Sequence, residues 1–208
     1  ADAPAAMAKA CHTLGVPFIH YSTDYVFDGE AQEPYHEEAR VAPRSVYGET
    51  KLAGERAVAL ETSRHVILRT AWLYSHVGHN FLKTMLRLAG EAKPLRVVSD
   101  QFGSPTFAWD LAAATVRVVD AVAGGRDDIY GVFHATNSGQ TSWFEFARAI
   151  FETANLESVD ISPITTAEYP TPAPRPAYSV LSCERMAQVF GIRMPSWQDG
   201  LARCVARL

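Results

Sequence analysis

The amino-acid sequence predicts an α/β fold with a largely parallel, doubly wound sheet. Short apolar runs alternate with longer helical stretches along the chain, and this alternation is typical of βαβ units. Because such crossovers are right-handed, we expect successive strands to lie side by side with helices on both faces. Polar residues follow two of these strands, at 22–25 and at 70–72, where parallel strands share one carboxyl edge.

Predicted strands and helices alternate along the chain. The sequence contains no internal repeat. The first part of the chain contains an alanine-rich helix ending at Leu14 with Gly15 as its cap, a strand at 16–21, a turn at Asp28 and Gly29, a helix from its N-cap Ser45 to about Leu60, and a strand at 65–69. The rest contains a helix at 81–89, a strand at 95–98, a helix at 107–122, a strand at 132–134, a helix at 143–154, a strand at 159–161, a proline-rich loop at 163–176, and helices at 183–190 and 197–208.

Composition and charge limit the classes of protein that fit. Of the 208 residues, 48% are hydrophobic and 20% are charged, which is ordinary for a globular domain. The net charge of −4 argues against nucleic-acid binding, and no apolar stretch is long enough for a membrane span. Cys11, Cys183 and Cys204 are widely spaced, which favours a reducing, cytoplasmic setting without disulfides or zinc.

Tyr47 and Lys51 are the most informative pair of residues. They stand four residues apart in a predicted helix, so their side chains share one face. Taken alone, this spacing favours a packed tyrosine beside a solvated lysine. An ammonium on the same face also stabilises a tyrosinate, and the hydroxyl of Thr23 at the preceding strand end can orient the same substrate oxygen. Together these residues suit proton transfer to a carbonyl or from an alcohol, beside a hydride carrier.

Several segments carry a resemblance to known proteins. Residues 22–29 (STDYVFDG) and 47–55 (YGETKLAGE) resemble the extended short-chain dehydrogenase/reductase superfamily. Residues 69–74, 80–81, 100–106 and 175–176 narrow the resemblance to the dTDP-4-dehydrorhamnose reductase family, over essentially the whole chain.

This resemblance implies a partial Rossmann-like sheet with a smaller C-terminal substrate-binding lobe. Residues 1–70 would form the C-terminal half of the NAD(P)-binding domain, and residues 71–208 mainly the dTDP-sugar lobe, with parts of 95–135 returning to the Rossmann sheet. The sequence lacks the Gly-x-x-Gly-x-x-Gly turn that seats the cofactor pyrophosphate in this family. We therefore expect the N-terminal half of the nucleotide-binding domain to be missing, and this polypeptide alone to be inactive.

The resemblance also implies an NAD(P)H-dependent oxidoreductase with defined residue roles. Tyr47 would protonate the oxygen at C4 of a keto-sugar, while NADPH or NADH provides the hydride. Lys51 would assist Tyr47, both would bind the nicotinamide ribose, and Thr23 would bind the reacting oxygen. The predicted substrate-binding residues are Thr23, Asp24, Tyr25, Trp72, Asn80, Gln101 and Arg175.

For some of these residues the sequence leaves a structural alternative open. Asp24 can instead cap a loop, Tyr25 and Trp72 can pack in the core, and Arg175, expected to clamp the dTDP diphosphate, can lie in solvent. We expect Gly103 to shape a turn rather than to contact a ligand.

Other functions also fit the sequence. An epimerase or dehydratase of the same superfamily is one alternative, although dehydratases often carry an acidic residue where this chain has Tyr25. A non-catalytic homologue, such as the regulatory subunit of methionine adenosyltransferase, is another. No metal site is predicted, because His76 and His79 lack a third ligand; Mg²⁺ enters only through the resemblance. The expected partners are the dTDP-sugar and, by resemblance, a second copy in a homodimer.

Overall fold

The computed structural model describes residues 1–91, 93–156, 158–171 and 173–208. Its α-helices are α1 (Asp2–Thr13), α2 (Val46–Glu61), α3 (Phe81–Ala89), α4 (Ala108–Ala123), α5 (Trp143–Thr153), α6 (Glu184–Phe190) and α7 (Trp197–Val205). Its strands are β1 (Phe18–Thr23), β2 (His65–Thr70), β3 (Leu73–Tyr74), β4 (Leu95–Val98), β5 (Phe102–Gly103), β6 (Thr106–Phe107), β7 (Gly131–His134), β8 (Thr141–Ser142) and β9 (Ile161–Ile164). The predicted helices and all longer strands are present, and the two-residue strands are additions that the sequence did not indicate.

The central sheet has the order β1-β2-β7, and both strand pairs are parallel. Helix α2 connects β1 to β2, as expected for a βαβ unit. The register pairs Phe18 with His65 and Thr23 with Thr70, so the last residues of β1 and β2 are direct neighbours at the carboxyl edge. The predicted parallel α/β sheet is therefore confirmed.

Helices cover both faces of this sheet because successive residues of β2 point to opposite sides. Ile67 packs with Ala8 of α1 and Val58 of α2 on one face. Val66 and Leu68 belong to a cluster on the other face, which includes residues of α4 and α6. Both faces are thus buried, as a doubly wound arrangement requires.

A second large core lies outside the central sheet. It joins α3, α5 and α7 to β4 through the buried side chains of Leu82, Val97, Phe146 and Leu201, among others. This separate core fits the predicted C-terminal lobe, although the boundary near residue 70 stays a prediction. Within the described residues, no helix has both the length and the apolar character needed to cross a bilayer.

Strand β4 is one of the parts of residues 95–135 that do not return to the central sheet, as the expectation of a partial return allows. It pairs in parallel with β9 in a separate two-stranded sheet, whereas α4 packs on the central sheet and β7 joins it. An apolar run of four residues carries no information about its partner, so the sequence left this pairing undecided. Strand β9 also lies at 161–164 rather than 159–161 and includes Pro163, which edge strands tolerate.

Candidate active site

A cleft of about 330 Å³ opens at the carboxyl edge of β1 and β2. Its lining includes six of the predicted site residues: Thr23, Asp24, Tyr25, Tyr47, Lys51 and Trp72. They converge because β1 and β2 end side by side and α2 returns over the same edge. The convergence expected from the strand order is therefore present.

One side of the cleft, the polar wall, consists of Thr23, Tyr47 and Lys51. Lys51 Nζ donates a hydrogen bond to the backbone carbonyl of Tyr21 at 2.6 Å, which anchors the ammonium to β1. Burial lowers the pKa of Lys51, and the Glu55 carboxylate one helical turn away opposes that shift. Tyr47 is 54% exposed, so its hydroxyl is open to a ligand that enters the cleft.

Local sequence seats the first turn of α2 against the end of β1. Ser45 Oγ accepts a hydrogen bond from the backbone nitrogen of Gly48 at 3.1 Å, which caps the helix as predicted. A Cβ atom at Gly48 would lie 2.2 Å from the carbonyl oxygen of Tyr25. Glycine at this position therefore lets the helix come close to the 24–26 turn and places Tyr47 beside Tyr25, with 5.5 Å between the ring centroids.

A buried ion pair fixes the next turns of α2 to β2. Arg69 Nε and Nη2 donate to the two carboxylate oxygens of Glu55 at 2.9 and 2.7 Å. Both side chains are 5% exposed. Because Lys51 and Glu55 share one helix face, this pair supports the polar wall from behind.

Asp24 directly follows β1 and lines the cleft, although it is only 3% exposed. Its Oδ1 atom is 2.8 Å from Thr23 Oγ1, and no group in the described part of the chain hydrogen-bonds to its buried Oδ2 atom. Burial raises the pKa of Asp24 to about 6, against smaller lowering effects from the hydroxyls of Thr23 and Ser179. Burial and then Asp24 raise the pKa of the neighbouring Tyr25.

Trp72 also lines the cleft and packs against Gly103 and Trp143; we call these three residues the aromatic wall. The indole rings of Trp72 and Trp143 stack with 3.5 Å between centroids and 5° between planes. A Cβ atom at Gly103 would lie 2.3 Å from Cε2 of Trp72, so the glycine gives the indole its space. Trp72 adopts φ 48°, a left-handed conformation that costs a bulky residue about 1–3 kcal/mol and that packing must maintain.

The sequence did not predict Trp143 or Gly103 as site residues. Gly103 lies in β5, where its role is to admit the indole rather than to form the predicted turn. No sequence spacing links residues 72, 103 and 143, so only the packed fold brings them together.

A second cavity of about 320 Å³ adjoins the aromatic wall through Trp143. Predicted residues Gln101 and Arg175 line it, together with residues the sequence did not single out: Phe81, Arg96, Trp143 and Tyr169. Gln101 is buried, and its Nε2 atom donates to Thr166 Oγ1 at 3.0 Å. Arg175 is exposed and lies near enough to Tyr25 to oppose the rise in its pKa.

Asn80 lies outside the lining of both cavities. Its Oδ1 atom accepts a hydrogen bond from the backbone nitrogen of Lys83 at 3.2 Å, and its Nδ2 atom donates to the carbonyl of Ser75 at 2.7 Å. The residue therefore caps α3, and its predicted contact with substrate stays a prediction.

Two further hydroxyls of the cleft also lack a hydrogen-bond partner among the described residues: Ser22 Oγ and Thr70 Oγ1. Thr70 reaches the cleft for the same reason as Thr23, because each is the last residue of a strand at this edge. Across the described ranges, no group of three or more His, Cys, Asp or Glu residues is arranged to hold a metal ion.

Comparison with known proteins places the chain among enzymes of one kind. The family model described as RmlD substrate binding domain matches residues 1–208. The dTDP-4-dehydrorhamnose reductase of Sinorhizobium fredii is 46% identical, over 98% of this chain and 70% of the relative. Solved structures of dTDP-4-dehydrorhamnose reductases resemble the fold: that from Clostridium acetobutylicum has a TM-score of 0.91 at 41% identity, and that from Bacillus anthracis, in complex with NADP, has 0.89 at 39%. Each covers 98% of this chain and 70% of the solved one. The chain belongs to the dTDP-4-dehydrorhamnose reductase family.

Proposed function

We propose that the complete gene product carries out the NADPH-dependent reduction of the C4 keto group of dTDP-4-dehydro-6-deoxy-L-mannose (dTDP-4-dehydrorhamnose), which gives dTDP-L-rhamnose. The observation that carries the proposal is that Thr23, Tyr47, Lys51 and Trp72 line one cleft. Relatives named dTDP-4-dehydrorhamnose reductase, one of them solved with NADP, support it and do not favour an epimerase, a dehydratase or a non-catalytic homologue.

The polar wall supplies the proton chemistry. Tyr47 donates its hydroxyl proton to the C4 oxygen, and the ammonium of Lys51 stabilises the tyrosinate that forms. Thr23 holds the same oxygen in place. General acid catalysis of this kind contributes about 10²–10⁴-fold to a rate, provided the donor lies within hydrogen-bond reach.

The same edge of the sheet suits the cofactor. Tyr47 and Lys51 would hold the nicotinamide ribose, and the buried, unpartnered hydroxyls of Ser22 and Thr70 offer further hydrogen bonds there. When bound, NADPH supplies the hydride. The chain contributes placement and a proton.

The aromatic wall and the second cavity suit the sugar nucleotide. The indole of Trp72 offers a flat apolar face to the sugar, with Asp24 and Tyr25 lining the same cleft. Beyond Trp143, the exposed guanidinium of Arg175 suits a diphosphate, because its forked donors match phosphate oxygens. Arg96 lines the same cavity, where its Nη2 atom donates to Glu168 at 2.7 Å. The rings of Phe81, Trp143 and Tyr169 suit a thymine base.

The proposal also includes a cellular location and an oligomeric state. Three free cysteines support a reducing, cytoplasmic location. A homodimer is proposed on family resemblance, and sedimentation of the complete gene product would measure its mass.

The test is NADPH oxidation by the complete gene product in the presence of dTDP-4-dehydrorhamnose, with dTDP-L-rhamnose identified by mass spectrometry. Replacing NADPH with NADH measures the cofactor preference. Replacing the substrate with its UDP analogue tests whether the second cavity discriminates between thymine and uracil. Failure to oxidise either cofactor with this substrate under any condition would overturn the proposed function.

A further inference from the structure

Thr23 and Asp24 form a hydrogen-bonded pair that limits what Thr23 can offer a substrate. Both side chains are buried, with 5% and 3% exposure. Thr23 Oγ1 donates a hydrogen bond to Asp24 Oδ1 at 2.8 Å, a separation that also fits the reverse direction once Asp24 is protonated, and it accepts one from the backbone nitrogen of Tyr25 at 3.3 Å. Because the Tyr25 bond uses one lone pair of Thr23, the direction of the bond to Asp24 decides whether the threonine proton is free.

The number of hydrogen-bond donors differs between ionised and neutral Asp24. A threonine hydroxyl has one proton and two lone pairs, whereas an ionised carboxylate only accepts. With Asp24 ionised, Thr23 must donate its proton to Asp24, and it has no proton left for a keto oxygen, which also only accepts. With Asp24 neutral and its proton on Oδ1, the acid donates to the second lone pair of Thr23.

We infer that Asp24 is a positioning residue that acts through Thr23: as a neutral acid it donates to Thr23 Oγ1, and this frees the Thr23 hydroxyl to hydrogen-bond the C4 keto oxygen. The inference rests on the proposed function, since it needs a keto oxygen in the cleft. Tyr47 remains the group that transfers the proton. The Asp24–Thr23 pair changes only how tightly the keto oxygen is bound, and it transfers no proton itself.

The surroundings of Asp24 favour its neutral form. Its Oδ2 atom is buried without a partner among the described residues, and an ionised carboxylate there would lose most of its solvation. Burial accordingly raises the pKa of Asp24 to about 6. The hydroxyl of Ser179, which lowers that pKa, donates to the carbonyl of Phe102 at 3.2 Å. The titratable groups that face this region are Tyr25 on the same turn, Tyr47 and Lys51 on α2, and Arg175 on the loop before Ser179.

The first experiment measures kcat/KM of the complete gene product for dTDP-4-dehydrorhamnose from about pH 5 to about pH 9, a range that brackets the Asp24 pKa. We expect a single step downward of about three- to tenfold as the pH rises through about 6, because one neutral hydrogen bond to the substrate is lost. Thr23→Ser keeps the hydroxyl and should keep the step. Thr23→Val should have the low value throughout, and a step that survives in this variant would overturn the inference.

The second experiment replaces the acid. Asp24→Asn places an uncharged group with a donor at this position at every pH, so it reproduces the neutral acid. We expect no step in this variant and a kcat/KM above that of the wild type near pH 8. In a Thr23→Val background the same substitution should give no rise in kcat/KM near pH 8, and an equal rise in both backgrounds would contradict a role through Thr23.

A third measurement does not depend on turnover. Infrared difference spectra between acid and neutral pH should contain the band of a protonated carboxyl group, assigned by its loss in Asp24→Asn. Thr23→Val should move the titration of that band to higher pH, because the threonine hydroxyl favours the carboxylate. If the gene product does not reduce this substrate, the proposed function fails while the band still decides the state of the pair. A band that is absent at acid pH, or that does not respond to Thr23→Val, overturns the inference.

Discussion

The two walls of the cleft are held in place by different kinds of interaction. Hydrogen bonds and ion pairs fix the polar wall: Lys51 is bound to a carbonyl of β1 at 2.6 Å, and the buried Glu55–Arg69 pair ties its helix to β2. Packing fixes the aromatic wall. Trp72 stacks on the ring of Trp143 and lies against Gly103, where there is no room for a Cβ atom.

This difference predicts two patterns of sensitivity. The polar wall should respond to loss of a proton, a charge or a hydrogen-bond partner, because those are the interactions that hold and operate it. The aromatic wall carries no ionisable group and should respond to added volume, since close-packed rings have no room to adjust.

The largest effect is expected at the polar wall itself. Tyr47→Phe keeps the ring and its contact with Tyr25 but removes the proton donor, so we expect kcat to fall by about 10²–10⁴-fold. NADPH affinity should fall only a few-fold, as measured by fluorescence titration, because Lys51 still holds the nicotinamide ribose. Tyr130→Phe, which removes a hydroxyl that accepts a hydrogen bond from Arg64, is the matched control and should keep its activity. Activity of Tyr47→Phe within a few-fold of wild type would show that Tyr47 is not the donor.

The next effect concerns the support behind the polar wall. Arg69→Met leaves Glu55 buried without its partner, and we expect a loss of about 3–5 kcal/mol in the free energy of unfolding. Urea denaturation measures this change. Arg126→Met breaks an exposed pair with Asp128 and should shift the midpoint little. Equal shifts in the two variants would contradict a supporting role for the buried pair.

The aromatic wall provides the opposite test, a change in volume without a change in charge. Gly103→Ala adds one methyl group against Trp72 and must displace the indole, so we expect kcat/KM to fall by about 10–100-fold through misplaced substrate. Gly90→Ala is the control, because its Cβ would meet the nearest atom, the Arg87 carbonyl oxygen, at 3.4 Å. Tryptophan fluorescence should change in the first variant and not in the second. Normal kinetics in Gly103→Ala would mean that the aromatic wall adapts.

The smallest effect is a pH dependence of stability that comes from Asp24, the hydrogen-bond partner of Thr23 in the polar wall. The folded-state pKa of Asp24, about 6, lies above its ordinary value of 3.8, so its stabilising contribution is complete below about pH 4 and is lost as the pH rises through about 6. Between pH 5 and pH 7 the free energy of unfolding should therefore fall by about 1 kcal/mol more in the wild type than in Asp24→Asn.

Urea denaturation at the two pH values measures this difference. Asp127→Asn changes an exposed aspartate and should retain the wild-type dependence. The same pH dependence of the free energy of unfolding in wild type and Asp24→Asn would contradict a raised pKa for the buried Asp24.

The sequence by itself determined the sheet and the polar wall. Alternating strands and helices predicted the parallel order, and the four-residue spacing of Tyr47 and Lys51 predicted their common face. Thr23 followed from its place at a strand end. These features depend on the periodicity of the backbone over a few residues, which a local pattern records.

The aromatic wall and the roles of several other residues were decided only by the tertiary structure. Trp143 and Gly103 meet Trp72 from distant parts of the chain, and β4 finds its partner in β9 rather than in the central sheet. Asn80 is the mixed case, since a helix cap could be recognised from its position before Phe81, although resemblance assigned it to the substrate. Contacts of this kind depend on how whole elements pack against one another, and no spacing along the chain encodes that.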